Sequence, residues 1–133
     1  ETSGFFKEVS DTDIAQFAAI SGDFDPVHMD DEYAKTTPFG KRIAHGLFVM
    51  GLLSGAESEM SRRIVARGSE LKPISLGYDK VRFIRPVFIG DTLKTVYTIK
   101  ELNSESRRST GTCEIFNQND ELCLVGDHIM KWV

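Results

Sequence analysis

An aspartate and a histidine stand five residues apart in the segment Gly22-Asp23-Phe24-Asp25-Pro26-Val27-His28. Carboxylate and imidazole are the side chains best suited to moving protons near neutral pH. Pro26, between them, biases Asp25 toward extended backbone, so the linker is not helical throughout and can aim both groups at one point. Downstream, Ala44-His45-Gly46-Leu47 opens a long apolar run in which Gly51, Ser54 and Gly55 are embedded. A proton-transfer pair beside the start of a buried helix is a candidate active site.

The elements needed to hold that pair can be read on both sides of it. Residues 5–9 suggest a short strand or an extended lead-in. Ser10 offers an N-cap, with Asp13 in the place of the usual Glu of a capping box. Ile14, Phe17, Ala18 and Ile20 follow at helical spacing, and Gly22 ends that helix. Residues 30–35 suggest one helical turn before a loop, 36–42, that carries Pro38 and Gly40. Over residues 45–60 the apolar Leu47, Phe48, Val49, Met50, Leu52 and Leu53 leave no polar face on the first turns. A helix of that kind is expected to be enclosed by protein on all sides, and Glu57, Glu59, Arg62 and Arg63 then show it emerging into water.

The second half supplies strands over 71–88, 92–102, 109–117 and 122–133, separated by turn signals at Gly90-Asp91, Asn103-Ser104 and Asn119-Asp120. Leu93, Thr95, Tyr97 and Ile99 alternate with Lys94, Val96, Thr98 and Lys100, the period of a sheet with one wet face. Pro86 implies a bulge or an edge. Tight turns between consecutive strands make them antiparallel. The fold class expected is α+β: one domain over residues 1–133, with a curved antiparallel sheet wrapped around a long central helix.

Composition narrows the function. The chain has 133 residues and a formal net charge of −4, which argues against a nucleic-acid surface. Arg62, Arg63 and Arg67, and the pair Arg107-Arg108, are local basic spots that could meet a phosphorylated ligand or simply face water. The longest apolar run, residues 47–56, is too short for a membrane span of roughly 20 residues. No secretory leader is visible. The two cysteines, Cys113 and Cys123, lie in strand-like segments and are expected to be free and buried, which suits the cytoplasm or another reducing interior. No convincing zinc spacing is present.

The segment Phe17-Ala18-Ala19-Ile20-Ser21-Gly22-Asp23-Phe24-Asp25-Pro26-Val27-His28, with Ala34 beyond it, resembles the signature of the MaoC-like (R)-specific enoyl-CoA hydratases. Ile43-Ala44-His45-Gly46 resembles that family's approach to its central helix. Phe83-Ile84-Arg85-Pro86-Val87-Phe88-Ile89-Gly90-Asp91 resembles its later strand and turn. The resemblance spans nearly the whole chain in the right order and implies a hot-dog fold, usually paired as a homodimer. It implies that Asp23 and His28 are catalytic, that the Gly46 N–H holds the thioester oxygen, and that Ser54 stands near the catalytic residues. Asp25 departs from the family's usual Asn and brings like-charge repulsion close to Asp23.

The implied reaction is hydration of a trans-2-enoyl-CoA to an (R)-3-hydroxyacyl-CoA, with the CoA thioester as substrate and no cofactor or metal. It needs a base for water, an acid for the alpha carbon and a donor for the oxygen that gains charge. Asp23 and His28 can share the first two roles around one water. His28 is the simpler base and Asp23 the partner that orients water and returns a proton, although the reverse assignment uses the same groups. A helix N-terminus supplies N–H groups and a positive dipole end, and Gly46 has no side chain to obstruct approach.

Phe48, Phe83, Val87 and Met50 are candidates for an acyl pocket or for core packing. Asp23 could merely close the preceding helix and His28 could be structural. His45 is read as fixing the helix start, Ser54 as packing or functional, and His128 as structural. Two other functions remain open: a hot-dog acyl-CoA thioesterase, and an acyl-CoA-binding sensor without turnover.

Overall fold

The structure is a computed structural model that describes residues 2–133, the side chain of Ser3 excepted. After strand β1 (Thr2–Glu8), helix α1 (Asp11–Ser21) starts where Ser10 caps it. The Ser10 hydroxyl accepts from the Asp13 N–H, and the Asp13 carboxylate accepts from the Ser10 N–H, so Asp does replace the usual Glu. Gly22 ends the helix in the left-handed region at φ 82°, where a side chain would be strained.

Two single turns follow, α2 (Pro26–Met29) and α3 (Asp31–Ala34), each capped by an aspartate. Asp25 accepts from the Val27 N–H, and Asp30 accepts from the Tyr33 N–H. Pro26 takes the first helical position, where its missing N–H costs nothing. Helix α4 (Gly46–Ala66) is the long central element. Strands β2 (Pro73–Phe83), β3 (Thr92–Asn103), β4 (Arg108–Phe116) and β5 (Leu122–Trp132) complete the chain.

The five strands form one antiparallel sheet in the order β1-β3-β4-β5-β2. Leu93, Thr95 and Tyr97 of β3 point inward, in the alternation read from the sequence. They meet Ile115 and Cys113 of β4 and Leu124 and Met130 of β5 in a core that also holds Val49, Leu53, Ala56 and Met60 of α4. Those α4 residues repeat at helical spacing, so one stripe of the helix lies on the sheet. Both cysteines are free and buried, on adjacent strands.

The expectation that α4 is enclosed on all sides is corrected. Leu47 is 63% exposed, and Gly51 and Ser54 face solvent on the stripe away from the sheet. A single sheet has one inner face to offer, so five strands cover only part of the helix. The expected strand over 71–88 also ends early, at Phe83. Pro86 follows in a loop, and Phe88 forms an isolated bridge with Ile43. Among the described residues, no helix is long and apolar enough to cross a membrane.

Candidate active site

The turn after α1 aims Asp23. Its N–H donates to the Ser21 hydroxyl, and its Oδ1 accepts from the Asp25 N–H, which leaves Oδ2 to face the site. Asp25 spends its own carboxylate on the cap of α2. That capping turn carries His28 and presents it toward Asp23, with His28 Nε2 3.9 Å from Asp23 Oδ2. The separation is too long for a direct hydrogen bond, yet one water at ordinary hydrogen-bond length can touch both atoms.

The protonation pattern of His28 follows from its other nitrogen. Nδ1 lies 2.7 Å from the Ile43 carbonyl oxygen, and a carbonyl only accepts, so Nδ1 carries the proton and donates it. The Nε2 lone pair is then free and directed at the site. An imidazole held in this orientation can take a proton at Nε2.

His45 supports both members of the pair. Its ring stacks on His28 with centroids 4.0 Å apart and 28° between planes, and it packs on Phe17 from another direction. Its Nε2 donates to the main-chain oxygen of Asp23 at 2.9 Å, while Nδ1 is buried with no partner. As the N-cap residue of α4, His45 makes no side-chain bond to the helix start. The first N–H groups of α4 therefore lack a side-chain cap on the side where Gly46 faces the pocket. Asp23, His28 and His45 place one possible ligand atom each within 4.8 Å. His45 Nε2 is committed to the Asp23 carbonyl and His28 Nδ1 to the Ile43 carbonyl.

A cavity of about 300 Å³ opens here, walled by His28, Gly46, Val49, Phe83, Val87 and Cys123. The structure thus brings together four residues singled out from the sequence, His28, Gly46, Phe83 and Val87, with Asp23 beside His28. The tip of the Phe83 ring lies 2.8 Å from the point where a Gly46 Cβ would stand, so any larger residue there would push the ring aside. Val87 is buried, and its carbonyl accepts from the Ala44 N–H at 2.7 Å, which ties the pocket wall to the approach of α4.

Two other candidates lie elsewhere. Ser54 faces solvent two turns further along α4, in a separate hollow with Glu57 and Arg62, and does not line the His28 cavity within one chain. Phe48 packs edge-on against Phe17 and into the core, as Met50 also packs there, so neither walls the cavity.

Three residues gained a place that the sequence did not suggest. Arg42 donates to Asp31 at 2.8 Å, to Asp11 at 3.1 Å and to the His28 carbonyl at 3.3 Å, clamping α1, α2 and α3 together. Its partners are scattered along the chain, so no local spacing marked it. Cys123 forms part of the cavity wall, and burial pushes its thiol pKa up, which keeps it an apolar wall and not a nucleophile. Phe39 joins the wall from the loop before α4.

A family model described as a MaoC like domain matches residues 6–119. A 3-hydroxybutyryl-CoA dehydratase of Methylorubrum extorquens is 36% identical over 125 residues, which cover 94% of this chain and 74% of that protein. An (R)-specific enoyl-CoA hydratase of Aeromonas caviae is 33% identical over 125 residues, covering 94% of this chain and 87% of that one. The solved structure of the A. caviae (R)-hydratase superposes with a TM-score of 0.84 at 30% identity, over 98% of this chain and 93% of that chain. The sheet-and-helix arrangement is the hot-dog fold expected from the sequence.

Proposed function

The chain belongs to the MaoC-like domain family, and on that premise we propose that it adds water to trans-2-enoyl-CoA thioesters, giving (R)-3-hydroxyacyl-CoA, and catalyses the reverse dehydration. The observation that carries this reading is the placement of the His28 ring. With Nδ1–H held by the Ile43 carbonyl, Nε2 faces Asp23 Oδ2 across a gap that one water can bridge.

In the proposed reaction, His28 Nε2 takes a proton from that water as the water oxygen bonds to the beta carbon. Electron density moves onto the thioester oxygen, which the Gly46 N–H and the positive end of α4 stabilise. The Asp23–His28 pair then delivers one proton to the alpha carbon and ends in the state in which it began. Hydrogen and hydroxyl arrive from the same side. Each acid–base role is worth about 100- to 10,000-fold, and a backbone donor to the oxygen about 100- to 1,000-fold. Phe83 and Val87 hold the acyl chain at the cavity wall. Exposed Leu47, Gly51 and Ser54 on α4, together with the unpaired edge of β2, are where a second copy of the chain would pack, giving a homodimer.

Incubation with crotonyl-CoA tests the assignment. Loss of the enoyl absorbance without release of free thiol is the expected result. Release of free thiol would instead identify thioester hydrolysis, and saturable binding with neither change would leave only a sensor.

A further inference from the structure

A cavity larger than the catalytic one lies elsewhere on the molecule. A groove of about 890 Å³ lies at the opposite end of α4, between the last turn of that helix, the β3–β4 hairpin and the end of β5. From Gly46 to Ile64 the helix rises roughly 27 Å, so the groove stands apart from the His28 cavity of the same chain. Its floor is apolar: Ile64, Ile99 and Trp132 are half-buried and continuous with the core, and exposed Leu71 and Leu102 extend it outward. Leu102 is 72% exposed, an apolar side chain left in water at the rim.

Three arginines line the same groove, Arg67, Arg107 and Arg108, on a chain whose net charge is −4. Neither Arg107 nor Arg108 has an acidic partner among the described residues. The hairpin that presents them is well formed. Asn103 Oδ1 accepts from the N–H groups of Glu105 and Ser106, Arg107 closes the turn at φ 55°, and its carbonyl accepts from the Trp132 N–H at 2.8 Å. The Trp132 indole N–H is already given to the Ser109 hydroxyl at 3.0 Å, which turns its ring as an apolar face to the groove. An apolar trough of this size ending in the Arg107 and Arg108 guanidinium groups matches an aliphatic chain with one anionic head.

We propose that this groove is a second ligand site that holds a long-chain carboxylate. The chain lies on Ile64, Ile99, Leu102 and Trp132, and the head is gripped by Arg107 and Arg108. The site needs no chemistry at Asp23 or His28 and stands independently of the hydratase reading.

Trp132 is the single tryptophan of the chain, so its fluorescence reports this groove alone. Titration with a mid-chain dibrominated stearate below its micellar concentration is expected to quench it saturably. In a matched series of saturated acids, each added methylene should tighten competition by about two- to threefold. The double variant R107Q/R108Q should bind at least about tenfold more weakly, and L102S about threefold more weakly. All three side chains are exposed, so both variants should fold and keep hydratase activity. The D23N/H28Q protein should bind the brominated acid as the unaltered chain does. Unsaturable quenching, unchanged affinity in R107Q/R108Q, or displacement by CoA lacking an acyl chain would each overturn the proposal. The last outcome would mean that the groove reads nucleotide phosphates.

Discussion

His45 shows how one side chain can be spent on positioning. It gives its Nε2 proton to the Asp23 carbonyl and its ring face to His28, and leaves the start of α4 without a side-chain cap. Replacing it with phenylalanine keeps the stacking and removes the bond. The expected cost is about 1 kcal/mol of order in the Asp23 turn, read as a fall in kcat of roughly fivefold to tenfold with KM for crotonyl-CoA nearly constant. A larger rise in KM than fall in kcat would assign His45 to substrate binding. At this scale the sequence was half informative. Asp23 and His28 were visible because a single capped turn joins them. The roles of His45 and Arg42 depend on partners 22 and up to 31 residues away, and no spacing rule reaches that far. Asp25 was read as a second charge in the site, but it is consumed locally as the cap of α2.

Among the elements, α4 carries the chemistry at its first turn and the core along one stripe. Gly46→Ala puts a methyl group 2.8 Å from the Phe83 ring, which must swing away and uncover the cavity. Helix propensity favours the change slightly, so the melting temperature should stay within a few degrees while kcat/KM on crotonyl-CoA drops at least about tenfold. Unaltered kcat/KM in that variant would mean that the Phe83 ring's place over Gly46 does not matter to the reaction. Ser10→Ala tests an element far from the chemistry. Loss of the capping box should cost about 1 kcal/mol in urea unfolding and leave turnover unchanged. Strands β3, β4 and β5 were legible because alternation and turn residues agree over each of them. The outer stripe of α4 was misread: Leu47, Gly51 and Ser54 fit a wholly buried pattern, and hydropathy cannot tell a face covered by the same chain from one left open.

For the molecule as a whole, the buried polar cluster beneath α4 sets the response to acid. His128 is fully buried, with Nδ1 paired to the Tyr97 hydroxyl and Nε2 to the Ser75 hydroxyl, both at 2.7 Å, and with Glu57 Oε2 3.3 Å from Nε2. Burial lowers its pKa from 6.5 to about 4. Between those values the unfolded chain binds a proton that the folded one refuses, so stability falls as pH drops from 6.5 to 4, by up to about 3 kcal/mol. Burial raises the Glu57 pKa, which works in the opposite sense: its contribution is lost as pH rises through the raised value. In thermal melts from pH 7 to pH 4, His128→Gln should lose stability less steeply than the unaltered chain, by about one proton in the slope. Equal slopes would mean that other groups drive acid unfolding. The central claim, an aspartate and a histidine acting together on one water, is tested most directly by crotonyl-CoA turnover of Asp23→Asn and His28→Gln, each checked for an unchanged melting temperature. The expected result is a loss in kcat of at least about a hundredfold in both; near-full activity in either folded variant contradicts it.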